Sequence, residues 1–280
     1  MIIWLASYPK SGNTWIRSLL SAYYYSDEGN FSFELLKNID QYPQKKYFDV
    51  KINKPGEINT YWDTSQKTIV SKKKVKIMKT HNALLSLNGN NFTNPNYTLG
   101  IIYIVRDPRN VITSLKNHYE LDYEQSLEFM LNEKKYIHDT KNKKDFADFH
   151  FLSSWSNHYK SWINNNLFKK IVIKYEDLEK NPLDVCKNTI NFINTLCKLN
   201  NKIDKKKLKK IKDDNSDQDF FSAIKVCKKK RIGPARTEDN RSLFYKKDIS
   251  LLARNGFDFE TSKKVMDIQK DEYLKIINLL

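Results

Sequence analysis

The sequence predicts an α/β fold in which a central, mainly parallel sheet lies between layers of helices. Four short apolar runs, Ile2–Ala6, Val75–Met78, Gly100–Val105 and Lys170–Ile173, read as strands covered on both faces. Helical patterns at Thr14–Tyr25, Pro108–His118, Tyr123–His138 and Phe151–Asn166 fall between them, and strands alternating with helices imply crossover connections and parallel pairing. No repeat or long linker divides the 280 residues, so one domain over 1–280 is expected.

The first strand runs into Ser7–Trp15, SYPKSGNTW, and then a helix. In such a strand–loop–helix, backbone N–H groups and a helix N-terminus gather around a phosphate. Laid against the P-loop pattern G-x-x-x-x-G-K-[ST], Ser7 stands at the first Gly, Gly12 at the second, Asn13 at the Lys and Thr14 at the Ser/Thr. Lys10 supplies a cation from inside the loop instead. A three-layer P-loop NTPase-like architecture follows, with a phosphate-like ligand handled by chemistry other than that of a Gly-Lys-Thr enzyme.

The tract Gln41–Ser71 has little periodicity and reads as a loop plus one helix beside a substrate pocket. The second strand ends in Lys76-Ile77-Met78-Lys79-Thr80-His81. A histidine past the carboxyl end of a buried strand sits at the ligand edge and suits general-base chemistry, with Lys79 two residues earlier on the same side. Taken alone, His81 is more often a surface or packed histidine. The other histidines, His118, His138, His150 and His158, fall in helical stretches. After the third strand comes Arg106, then Asp107-Pro108 as N-cap and first helical position, with Ser114 about two turns on. A guanidinium fork and a hydroxyl suit a second phosphate, and an ordinary capped helix with a surface arginine explains the same residues equally well. Further helices are expected at Pro182–Cys197, Asp204–Lys212, Phe220–Lys230 and Thr261–Leu280.

At 40% hydrophobic and 13% aromatic the chain is globular, and its net charge of +16 favours anionic partners. Lysine clusters at Lys72–Lys74 and Lys205–Lys210 read as solvated faces. No aromatic-rich RNA motif or helix-turn-helix accompanies the charge, so nucleic-acid binding is the weaker reading. Cys186, Cys197 and Cys227 are odd in number and form no CxxC pair, which fits a reducing, cytoplasmic compartment. No apolar run approaches the roughly 20 residues of a membrane segment, and Lys10 and Arg17 interrupt any signal-peptide pattern. No cluster with metal-ligand spacing appears.

Together and in this order, these motifs resemble the sulfotransferase family that uses 3′-phosphoadenosine 5′-phosphosulfate (PAPS), its cytosolic branch most closely. SYPKSGNTW resembles the family's YPKSGTTW loop, Met78-Lys79-Thr80-His81 its LKTH, Arg106 with Ser114 its R…S pair, and Tyr175-Glu176-Asp177-Leu178 its YEDL. Near the C-terminus, Lys230-Arg231-Ile232-Gly233 keeps the R-x-G step of the RKGxxGDWK segment without its GDWK part. The resemblance implies in-line transfer of a sulfuryl group from PAPS to a hydroxyl or amine of a small-molecule or carbohydrate acceptor, releasing 3′,5′-ADP (PAP) without a metal. It implies His81 as base, Lys10 near the bridging oxygen and Lys79 on the transferring group. Ser11, Gly12, Asn13 and Thr14 would hold the 5′-phosphate, Trp15 and Tyr175 the adenine, and Arg106, Ser114, Arg231 and Gly233 the 3′-phosphate. A P-loop nucleotide or small-molecule kinase is the alternative, and Asn13 in the lysine position stands against it.

Overall fold

The computed structural model describes residues 1–72, 74–138 and 145–216, with side chains described as far as residue 211. In chain order the elements are β1 (Ile2–Ser7), α1 (Asn13–Tyr25), 3₁₀ turns at Phe33–Asn38, Lys45–Tyr47 and Glu57–Tyr61, α2 (Trp62–Ser71), β2 (Lys76–Thr80), β3 (Ser86–Leu87), β4 (Asn90–Asn91) and β5 (Thr98–Val105). Then follow α3 (Pro108–Tyr119), α4 (Tyr123–Leu131), β6 (Tyr136–Ile137), β7 (His150–Phe151), α5 (Trp155–Ile163), β8 (Lys170–Lys174), α6 (Tyr175–Lys180), α7 (Pro182–Leu196) and α8 (Lys205–Ser216).

The main sheet has the order β2-β1-β5-β8, and every pairing in it is parallel. From β1 the chain first adds β2 on one side, then crosses back to place β5 on the other. The carboxyl end of β1 is therefore the point where neighbouring connections part, which is where open α/β sheets take their ligands. β3–β4 and β6–β7 are separate two-stranded antiparallel ribbons.

Successive residues of β1 and β5 feed opposite cores. Ile2, Trp4, Ala6, Ile101, Tyr103 and Val105 pack with α2 to α5 on one face. Ile3, Leu5, Ile102 and Ile104 pack with α1, α6, α7 and Ile211 of α8 on the other. This explains the unbroken apolar run of β1, whose six residues are all buried. The Trp4 indole N–H, fully buried, donates to Thr98 Oγ1 at 2.9 Å, so its burial leaves no donor unmet.

The helix expected over Tyr123–His138 stops at Leu131. Asn132 leaves the helical region, its Oδ1 accepts the Lys134 amide at 2.8 Å, and that local bond competes with helix continuation. The chain beyond it pairs as β6 with β7, so His138 and His150 lie outside helices. α5 likewise begins at Trp155 rather than Phe151, because Ser154 caps it through a bond from the Asn157 amide. The expected helices Phe220–Lys230 and Thr261–Leu280 lie outside the described residues. Among the described residues no helix is long and apolar enough to cross a membrane.

Candidate active site

The loop after β1 is shaped by two residues with positive φ, Lys10 (70°) and Gly12 (99°), and by a turn in which the Ser11 amide donates to Tyr8 O at 3.3 Å. Gly12 is required twice over. Its φ is disfavoured for side-chain-bearing residues, and a Cβ there would lie 2.5 Å from Tyr175 Cδ2. Asn13, at the position of the P-loop lysine, turns back into the protein. Its Nδ2 donates to Leu5 O at 3.1 Å and to Ser7 Oγ at 3.2 Å, pinning the loop to the strand it leaves. The Asn13 side chain is thus a clamp on the loop, and what it can offer a ligand is its backbone N–H.

No side chain caps α1 and no acid stands in its first turn. Its open amides and positive dipole end favour an anion. Thr14 is exposed at this end, while Ser11 is buried with an Oγ that meets no partner among the described residues. Trp15 is largely buried and meets the Tyr175 ring edge-on at 6.1 Å.

At the end of β2, His81 is tied to β1. Its Nδ1 lies 2.8 Å from Ser7 O and 3.3 Å from Ser7 Oγ. A carbonyl only accepts, so Nδ1 carries the proton and Nε2 presents a lone pair. Burial first, then the neighbouring Lys79 and His150, hold the His81 pKa well below its usual value, which keeps the ring neutral at physiological pH. His158, fully buried on α5, fixes the same residue from behind. Its Nε2 donates to His81 O at 3.1 Å and its Nδ1 accepts from the Tyr103 hydroxyl at 3.0 Å.

Lys79 is partly buried and lies among cations. Burial first, then Arg17 on α1 and Lys10 in the loop, bring its pKa down to about 7. Its Nζ donates to Gln41 Oε1 at 2.9 Å, and Gln41 Nε2 lies 3.1 Å from His150 Nε2. Arg17 donates to Leu36 O at 2.5 Å, and its Nε meets no partner among the described residues. Concentrated positive charge in a poorly solvated place disfavours the free protein and favours one that holds an anion. Lys79→Met, close to an isostere, is accordingly expected to raise the melting temperature of the ligand-free protein. Between about 7 and the ordinary 10.5, the folded protein holds fewer protons on Lys79 than the unfolded chain does. Stability at this group therefore rises with pH across that window, and the full penalty stands below it. The gain from Lys79→Met should be largest near neutral pH and shrink toward pH 10 in thermal melts; a lowered melting temperature at neutral pH would contradict this.

At the end of β5, Arg106 is about nine-tenths buried. Its NH1 donates to Lys10 O at 2.9 Å, its guanidinium lies 4.2 Å above the Tyr175 ring, and its Nε meets no partner among the described residues. Asp107 caps α3 by accepting the Arg109 amide at 2.9 Å, with Pro108 in the first turn. Its carboxylate is paired with Arg109, leaving Arg106 as the cation that faces the loop. Ser114 is half-buried on α3 and makes no direct bond to Arg106. Tyr175, opening α6, is buried between Gly12, Trp15 and Arg106. Glu176 accepts the Asp107 amide at 3.3 Å, and burial raises its pKa.

The structure thus brings Lys10, Ser11, Gly12, Asn13, Thr14, Trp15, Lys79, His81, Arg106 and Tyr175 to neighbouring strand ends. Arg231 and Gly233 lie outside the described residues. Orphaned buried donors at Arg106 Nε and Ser11 Oγ, an uncapped helix and surplus cations fit a donor with more than one anionic group. Two cavities, of about 420 Å³ beside α3 and α4 and about 450 Å³ between α2 and the Lys45–Tyr47 turn, are lined by neither the loop nor Lys79 or His81. Among the aromatic residues of these segments, Tyr42 and Trp62 are fully buried core, Tyr47 lines the second cavity, and Tyr123 packs under the Lys116 ammonium.

Four residues of this neighbourhood escaped the sequence reading. Arg17 lies three residues after Thr14 on α1, a spacing that puts both on one side of a helix, and that signal was present. Gln41 lies in a tract without periodicity, while His150 and His158 read as ordinary helical histidines; none carried a signal.

Residues 2–276 match the family model described as a sulfotransferase domain. Among solved structures, the chain is similar to mouse sulfotransferase SULT7A1 complexed with PAP, at 21% identity and a TM-score of 0.43. The match covers 76% of this chain and 63% of that one, so this chain spans under two thirds of that relative's length. No curated protein gives a sequence match.

Proposed function

The chain belongs to the sulfotransferase domain family, and from that premise we propose that it transfers a sulfuryl group from PAPS to a hydroxyl or amine of a small-molecule or carbohydrate acceptor. One observation carries this reading: a neutral histidine held by Ser7 O at 2.8 Å presents its free nitrogen at a strand end beside a lysine and an uncapped helix start.

In this reading the loop amides, Ser11 and Thr14 hold the 5′-phosphate, with Gly12 allowing the close turn. Lys10 meets the charge that builds on the leaving phosphate, and Lys79 meets the transferring group. His81 Nε2 takes the acceptor proton as the acceptor oxygen or nitrogen attacks in line, the S–O bond to the phosphate breaks, and PAP leaves. Arg106, with Ser114 supplying a hydroxyl further along α3, holds the 3′-phosphate. Trp15 and Tyr175 flank the adenine. Such transfer is helped chiefly by positioning and charge stabilisation.

The kinase alternative is not favoured, since Asn13 is spent on the loop and no cation occupies the P-loop lysine position. Thermal melts with PAP, 5′-AMP and ATP, each with and without Mg²⁺, test the reading, because a ligand stabilises only the state that binds it. PAP is expected to raise the melting temperature without Mg²⁺, and 5′-AMP and ATP to do so far less. A response to ATP that needs Mg²⁺, with none to PAP, would reverse the assignment.

A further inference from the structure

With Lys79 protonated, the hydrogen-bonded chain Lys79–Gln41–His150 runs in one direction. An ammonium has donors and no acceptor, so the amide oxygen of Gln41 faces Lys79 Nζ, at 2.9 Å. The amide nitrogen then faces His150 Nε2 at 3.1 Å and, being a donor, requires a bare ring nitrogen there. The His150 proton therefore sits on Nδ1, which is buried and meets no partner among the described residues. Burial and the nearby Lys79 push the His150 pKa down to about 3, consistent with a ring fixed in one neutral form.

The backbone fixes Gln41 as firmly. The Lys79 amide donates to Asp40 O at 2.7 Å and the Tyr42 amide to Lys79 O at 2.8 Å. Gln41 is thus paired in parallel with Lys79 as an added step on the edge of β2, and paired residues send their side chains to one face. His150 arrives from the β6–β7 ribbon, with its ring centre 6.0 Å from that of His81. A half-buried amide and a buried imidazole with an unmet donor are costly where an apolar pair would pack as well. The roles proposed above account for neither.

We propose that Gln41, anchored by His150, is a positioning residue that holds the Lys79 amino group at the place of the transferring group and keeps it from swinging out to water. This rests on the sulfuryl-transfer reading of Lys79. The charged or titratable groups that bear on Lys79 are Lys10 from the loop, Arg17 from α1, His81 beyond its own strand and His150 from the ribbon. Asp40, next to Gln41, bears on Arg17 and is engaged by Lys46 and Tyr47.

Competitive acetylation of the full chain with acetic anhydride, followed over pH by peptide mass spectrometry, reads Lys79 without donor or acceptor, and Lys76 on the same strand serves as reference. Gln41→Leu and His150→Phe are each expected to shift the Lys79 midpoint upward by about one pH unit or more, as the released ammonium reaches solvent. His150→Gln, whose amide oxygen can still accept from Gln41, should leave it near the wild-type value. A midpoint that stays or falls in Gln41→Leu, or a His150→Gln variant that behaves like His150→Phe, would overturn the proposal. If His150→Phe does not fold, Gln41→Leu carries the test. A wild type blind to PAP whose Lys79 is released by Gln41→Leu would sink the donor assignment and leave this hold standing; a normal PAP response with no release would sink the hold alone.

Discussion

Substituting His81 with alanine is expected to lower sulfuryl transfer by about 10²–10⁴-fold, the usual cost of losing a general base, while PAP still stabilises the variant as it does the wild type. The expectation follows from the hydrogen bond at Nδ1. Because Ser7 O can only accept, the imidazole is held as the tautomer that leaves Nε2 bare. Because burial and Lys79 hold its pKa well below the usual value, it does not protonate in the working range. The ring's tie to Ser7 is lost in this variant, and His158 still holds the backbone of His81 from the core side. Turnover is measured as PAP released from PAPS with an acceptor that the wild type sulfates. Near-wild-type turnover in His81→Ala would remove His81 from the mechanism.

Gly12→Ala should cost both stability and nucleotide binding. A left-handed backbone at a residue with a side chain costs roughly 1–2 kcal/mol, which lowers the melting temperature by about 2–8 °C in a protein of this size. The larger consequence is local. The new Cβ, 2.5 Å from Tyr175 Cδ2, pushes the ring that carries the Arg106 guanidinium on its face. The loop turn, the adenine wall and the second phosphate contact would shift together, so the response to PAP should vanish in thermal melts. An alanine variant with the wild-type melting temperature and PAP response would show that the Gly12–Tyr175 approach does not govern the site.

How much of this was legible in sequence differs by residue. β1, β5 and the helix after Asp107-Pro108 follow from uninterrupted apolar runs and an N-cap with proline, signals that are local. The strand-end positions of Lys10, Lys79, His81 and Arg106 follow from the same runs. Asn13 was legible as a departure from the P-loop pattern, but its clamp on Leu5 and Ser7 depends on how the loop folds back. The β6–β7 ribbon was misread as helix on both sides, because Asn132 and Ser154 end or begin helices by side-chain bonds that periodicity does not register. Gln41 and His150 were beyond reach, since their meeting spans 109 residues and depends on two elements docking at one sheet edge.

The central claim is that the ends of β1 and β5 together hold a nucleotide phosphorylated at both its 3′ and 5′ positions. Calorimetric titration of PAP against 5′-AMP, in wild type and Arg106→Ala and in a chelator, tests it most directly. A charge-assisted contact to Arg106 is worth roughly 1.5–3 kcal/mol. The wild type is therefore expected to bind PAP at least about tenfold more tightly than 5′-AMP, and Arg106→Ala to lose most of that preference. Equal affinities for the two nucleotides in the wild type would contradict it.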